Sequence, residues 1–145
     1  MKLLDLITEL EEKRNELLAV SMERYMQDKF RFLGVRGATR TEIYKKYFPE
    51  ARKSKAIDWD FIENCWNKEE REFQYVVVYY LKAMQRFFKR EDISRLKYLI
   101  VTKSWWDTVD LLAKVVGSLV IRIEGYEQIM LEWSKDSNIW LKRVA

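Results

Sequence analysis

The stretch Ser104-Trp105-Trp106-Asp107-Thr108-Val109-Asp110 holds the side chains best suited to chemistry. Trp106 and Asp110 are four residues apart, one turn of a helix, so an indole and a carboxylate share a side. A fixed carboxylate stabilises positive charge that develops on a reacting group and can orient a water molecule. An indole presents its π face to a cation, an attraction of ~0.5–2 kcal/mol. The chain has no histidine, which removes the commonest general base, the commonest zinc ligand and every Ser-His or Cys-His nucleophilic pair. Catalysis here therefore rests on carboxylates.

To present that pair, the surrounding residues must form a helix. Ser104 is spaced to cap one, with Asp107 at its positive end, and Gly117 is placed to end it; the pattern predicts a helix from Trp105 to Val116. At about 100° per residue, Trp105, Thr108, Val109, Leu111, Leu112, Val115 and Val116 form one apolar arc facing the core. Trp106 and Asp110 lie outside it. The plainer readings are a solvated surface aspartate and an edge-of-core tryptophan.

The same spacing recurs along the chain. Residues 3 to 28 read as one long helix or two abutting ones, with Leu6, Ile7, Leu10, Leu17 and Leu18 among the apolar positions. The turn Phe30 to Gly37 breaks the pattern. Thr39 is placed to cap a helix through about Phe48, closed by Pro49, and Asp58 to cap a short helix carrying Phe61, Ile62, Cys65 and Trp66. The run Tyr75-Val76-Val77-Val78-Tyr79-Tyr80 has strand propensity, but the wider three-and-four spacing through Phe88 predicts a helix from about Lys68. Asp92 starts a helix through about Val101, another covers Tyr126 to Trp133, and Asn138 starts a last one with Trp140, Leu141 and Val144 inward. About eight short-linked helices give an all-α fold, a single domain over residues 1–145, read as an α-solenoid of antiparallel helix pairs, with a compact irregular bundle as the alternative.

Composition sets the outer bounds. A chain of 145 residues, 48% hydrophobic and 34% charged, with four Gly and one Pro, is globular and helix-compatible. Cys65 is the lone cysteine, so no intrachain disulfide forms; beside Phe61, Ile62 and Trp66 it reads as buried filler in a reducing compartment. No signal peptide or membrane span is visible, and a cytoplasmic location is expected. Residues 28 to 55 hold nine basic side chains against three acidic, and residues 82 to 103 seven against two. Two such blocks suggest a polyanion footprint, or simply solvated charge.

Several blocks resemble a known family. Tyr25-Met26 leading to Phe32-Leu33-Gly34-Val35, then Glu70-Arg71-Glu72-Phe73-Gln74-Tyr75, Ser104 to Asp110, Glu132-Trp133 and Asn138 to Arg143 resemble, in that order, the DNA alkylation repair enzyme family of AlkD-like HEAT-repeat alkylpurine glycosylases. The resemblance implies a HEAT-like α-solenoid that holds duplex DNA with alkylated bases and excises cationic N3- or N7-alkylated purines without metal or other cofactor. It implies Asp110 as the catalytic aspartate, Trp106 as an aromatic lining the lesion site, Arg143 as an arginine on the DNA beside it, and Tyr25 as a tyrosine near the backbone. Arg36 and Ala38 stand where relatives carry a polar residue and a proline, which makes Arg36 a further DNA contact to test. Relatives continue for several helices more, so the chain resembles an N-terminal fragment or truncated homologue, for which self-association is expected. The plainer reading of Arg143 is an ion pair with an acidic neighbour. Two functions follow: a glycosylase acting through Asp110, or a non-catalytic helical-repeat module that binds DNA or serves as a scaffold.

Overall fold

The structure is a computed structural model that describes residues 2–145. Among them are nine α-helices, two single 3-10 turns and no strand. The chain is all-α, which is consistent with an α-solenoid. It divides into two compact units, residues 1–84 and 85–145.

The first unit contains α1 (Leu3–Glu12), α2 (Glu16–Tyr25), α3 (Gly37–Lys53), α4 (Trp59–Trp66) and α5 (Arg71–Ala83). The N-terminal pattern is thus two helices, with Asn15 Oδ1 accepting from Leu18 N at 3.1 Å to start the second. α3 packs on α1 and α5, and α4 on α5. α3 runs through Pro49, where the sequence predicts a stop, and Thr39 lies within it rather than capping it. A proline inside a helix costs about 3 kcal/mol; burial of Ile43, Tyr44, Tyr47 and Phe48, with Tyr44 and Phe48 stacked at 4.8 Å, outweighs it. Asp58 caps α4 as expected, accepting from Phe61 N at 3.0 Å. The Tyr75–Tyr80 run is helical because Phe73, Val76, Val77, Tyr80, Leu81 and Met84 are all buried, a single face that no strand could present.

The turn between α2 and α3 is held by one carboxylate. Buried Glu72 accepts from the N–H groups of Leu33 at 2.8 Å, Gly34 at 2.8 Å and Val35 at 3.0 Å. Gly34 has φ +90°, and a Cβ there would meet Asn15 O at 1.9 Å, so only glycine fits. Arg71 stacks on Phe30, 3.6 Å from the ring centre. The Gln74 amide donates to the carbonyls of Trp66 at 3.2 Å and Lys68 at 3.0 Å, closing the end of α4.

The second unit contains the 3-10 turns Gln85–Phe87 and Arg90–Asp92, then α6 (Ile93–Val101), α7 (Trp106–Arg122), α8 (Tyr126–Trp133) and α9 (Ile139–Val144). α7 packs on α6, α8 and α9. It passes through Gly117 instead of ending there, because buried Leu119 extends the apolar face another turn. The chain turns at Gly125, φ +92°. Asp92 precedes α6, but its carboxylate accepts from Lys89 N at 2.8 Å and makes no bond to the helix it was expected to cap.

Candidate functional site

Ser104 does not cap α7. Its hydroxyl donates to Ile100 O at 2.5 Å, and Thr102 donates to Tyr98 O at 2.6 Å, so both residues close the end of α6. Trp105, in extended conformation, precedes α7 without any side-chain cap. Asp107 does sit in the first turn, accepting from Thr108 N at 2.9 Å. The rotation of α7 is fixed by burial of Thr108, Val109, Leu112, Val115, Val116 and Leu119; this is the arc read from the sequence except that Trp105 and Leu111 are only partly buried and Leu119 is added. Trp106 is left 42% exposed and Asp110 half-buried, one turn apart.

α9 brings a third side chain to them. Asn138 Oδ1 accepts from Trp140 N at 2.9 Å and Leu141 N at 3.2 Å, fixing the helix start, while Leu141 is buried. Trp140 meets Trp105 edge-on at 5.9 Å. Arg143 then reaches Asp110 with two hydrogen bonds, Nε to Oδ1 at 2.6 Å and Nη2 to Oδ2 at 2.8 Å. Such fork-to-carboxylate pairing is the strong, orientation-fixing form of an ion pair. Both side chains remain half exposed, 51% for Arg143 and 45% for Asp110.

The hydrogen bonds from Arg143 hold the Asp110 carboxyl below its ordinary range, against a smaller opposing effect of partial burial. The charges of Arg143 and Lys114 add to the lowering. Asp110 is therefore a carboxylate at neutral pH, suited to stabilise positive charge and unsuited to donate a proton. The pairing also compensates its charge. Lys114, four residues beyond Asp110, follows from the spacing that relates Trp106 to Asp110 but does not stand out in the sequence, because an isolated lysine on a helix is unremarkable.

Tyr25 and Arg36 belong to the first unit. Tyr25, at the end of α2, is 75% exposed. Arg36 is exposed, directly precedes α3, and follows the Leu33–Val35 turn that Glu72 holds. The Cys65 thiol is buried and pushed up to about 12 by that burial, which excludes it as a nucleophile at neutral pH. Among the described residues no group of three or more Cys, Asp or Glu is placed to hold a metal ion. None of the described helices is long and apolar enough to cross a membrane.

The sequence profile of the family described as DNA alkylation repair enzyme matches residues 6–145. Among solved structures, the chain is similar to one described as a predicted DNA alkylation repair enzyme from Enterococcus faecalis, at 28% identity and a TM-score of 0.80. The similarity covers 92% of this chain and 63% of that one, so the chain spans somewhat under two thirds of its length. No protein of curated function matches the chain.

Proposed function

Since the chain belongs to the DNA alkylation repair enzyme family, we propose that it is a DNA glycosylase that releases cationic N3- or N7-alkylated purines from duplex DNA. The observation that carries this proposal is the cluster of Trp106, Asp110 and Arg143, an exposed indole beside a carboxylate bonded twice by a guanidinium. An alkylated purine cation is already a good leaving group, so cleavage needs no proton donor. As the C1′–N bond breaks, its electron pair neutralises the base and positive charge develops on the deoxyribose. Asp110 stabilises that charge and orients the water that adds to C1′, with the water proton passing to solvent. Trp106 lies against the cationic base or polarised sugar C–H groups.

Arg143 gives the site its order of events. A guanidinium is suited to phosphate as well as carboxylate, and a DNA phosphate competes for it. When Arg143 turns to phosphate, Asp110 faces the sugar uncompensated. Tyr25 and Arg36 contact the backbone, which positions the duplex without reading its sequence. Metal and other cofactors have no part in this chemistry. A DNA substrate and a buried thiol fit a cytoplasmic site of action, and exposed Leu131 and Ile139 favour self-association, which sedimentation tests.

Methylated duplex incubated with the protein is expected to release 7-methylguanine or 3-methyladenine, and Asp110→Asn to abolish release. The second possibility is a non-catalytic DNA-binding module, favoured by the compensated charge of Asp110. Such a module binds DNA in a salt-sensitive way and releases no base.

A further inference from the structure

The exposed side of α7 carries a feature that base release leaves unused. Gly117 lies in the helix interior with ordinary helical backbone, and a Cβ added to it meets nothing within 4 Å. Neither backbone conformation nor internal packing calls for glycine there. Glycine in a helix interior is less stable than alanine, and no contact within the folded chain compensates.

Trp106, Asp110, Lys114, Gly117 and Ile121 follow at three-and-four spacing, which places them on one side of the helix. That side faces solvent: Lys114 and Gly117 are exposed, and Ile121 is 90% exposed. Lys114 makes no ion pair among the described residues, and the stripe's one carboxylate, Asp110, is matched by Arg143. A cation that feels the Asp110 charge but is held in no ion pair thus stands one turn before a point where the helix surface is bare.

We infer that this stripe is a track for the sugar–phosphate backbone of duplex DNA, in which Lys114 takes a phosphate and Gly117 lets the strand approach the helix more closely than any side chain would allow. Ile121 supplies an apolar contact for a deoxyribose at the far end. The choice of DNA as the polyanion rests on the function proposed above. The track itself is a binding surface, testable without base release.

The test uses a short unmodified duplex, binding followed by fluorescence anisotropy across a salt series, and thermal unfolding of the same proteins. Gly117→Ala is expected to raise Tm by about 2–5 °C while weakening duplex binding several-fold. Lys114→Gln is expected to leave Tm unchanged and to reduce the slope of log affinity against log salt by about 0.9. A Gly117→Ala protein that binds as well as the parent, or that is less stable, overturns the role of Gly117; an unchanged salt slope overturns that of Lys114. Base release measured in parallel separates the two proposals. Normal release by both variants with unaltered binding removes only the track, whereas duplex binding altered as expected in a protein that releases no base keeps the track and removes the glycosylase.

Discussion

Arg143 and Asp110 are joined by two hydrogen bonds of 2.6 and 2.8 Å, so the carboxylate proposed to stabilise positive charge is already matched by a cation in the free protein. Its availability then depends on what else can bind the guanidinium. On the proposed function a phosphate of the duplex is the natural competitor, and the chemistry is then expected to depend on the presence of DNA.

Arg143→Gln removes the main cause of the lowered Asp110 pKa. The carboxyl titration, followed by carbon NMR, is expected to move up toward the ordinary value of about 3.9. The sign for stability follows. A carboxyl whose folded pKa is depressed contributes stability above its unfolded pKa and loses it as pH falls through the folded value. At neutral pH the parent should be only slightly more stable than Arg143→Gln, since the pair is half exposed and screened by solvent, and the difference should vanish once Asp110 is protonated. An unchanged titration midpoint contradicts the pairing.

The exchange of Arg143 to phosphate also separates two pH profiles. The acid limb of kcat/KM reports the free protein and that of kcat the complex. On the proposed exchange, in which Asp110 loses its guanidinium in the complex, the kcat limb is expected at higher pH than the kcat/KM limb. Coincident limbs would mean that Arg143 stays on Asp110 throughout.

The burial of α7 was legible in the sequence because its apolar residues repeat at helical spacing, and the same spacing put Trp106 and Asp110 on the open side. The helix over Tyr75–Tyr80 was legible for the same reason, despite residues that favour strands. Termini were less so. Ser104 and Gly117 carry the residue types of a helix start and stop, yet Ser104 bonds backward to α6 and Gly117 is overrun by an apolar face that continues to Leu119. Pro49 fails as a stop in the same way. The contact of Arg143 with Asp110 spans 33 residues and depends on how α9 packs on α7, which no local pattern encodes. Glu72 was visible only as part of a family-like block; that it satisfies three consecutive N–H groups is a property of the folded turn.

Glu72→Gln offers an amide where three backbone donors converge, and leaves at least one buried N–H group facing another donor. Each charge-assisted bond lost costs about 1.5–3 kcal/mol, so urea unfolding is expected to show a loss of at least ~1.5 kcal/mol. A loss under ~0.5 kcal/mol, the range of ordinary surface substitutions, contradicts the clamp.

Trp106 is exposed enough that Trp106→Ala should change stability by under about 1 kcal/mol. Release of the alkylated base should fall by about 2- to 30-fold, the factor that corresponds to ~0.5–2 kcal/mol of cation–π attraction. A large loss of stability with unaltered release per folded molecule would instead make Trp106 a packing residue.

The most direct measurement compares the parent chain with Asp110→Asn on a duplex carrying 7-methylguanine, following free base by chromatography and duplex binding by anisotropy. The parent is expected to release base; Asp110→Asn should release none while binding as tightly or more tightly, because Arg143 is freed for phosphate. Equal release by the two proteins, or none from the parent on DNA it demonstrably binds, contradicts the assignment of Asp110 as the catalytic carboxylate.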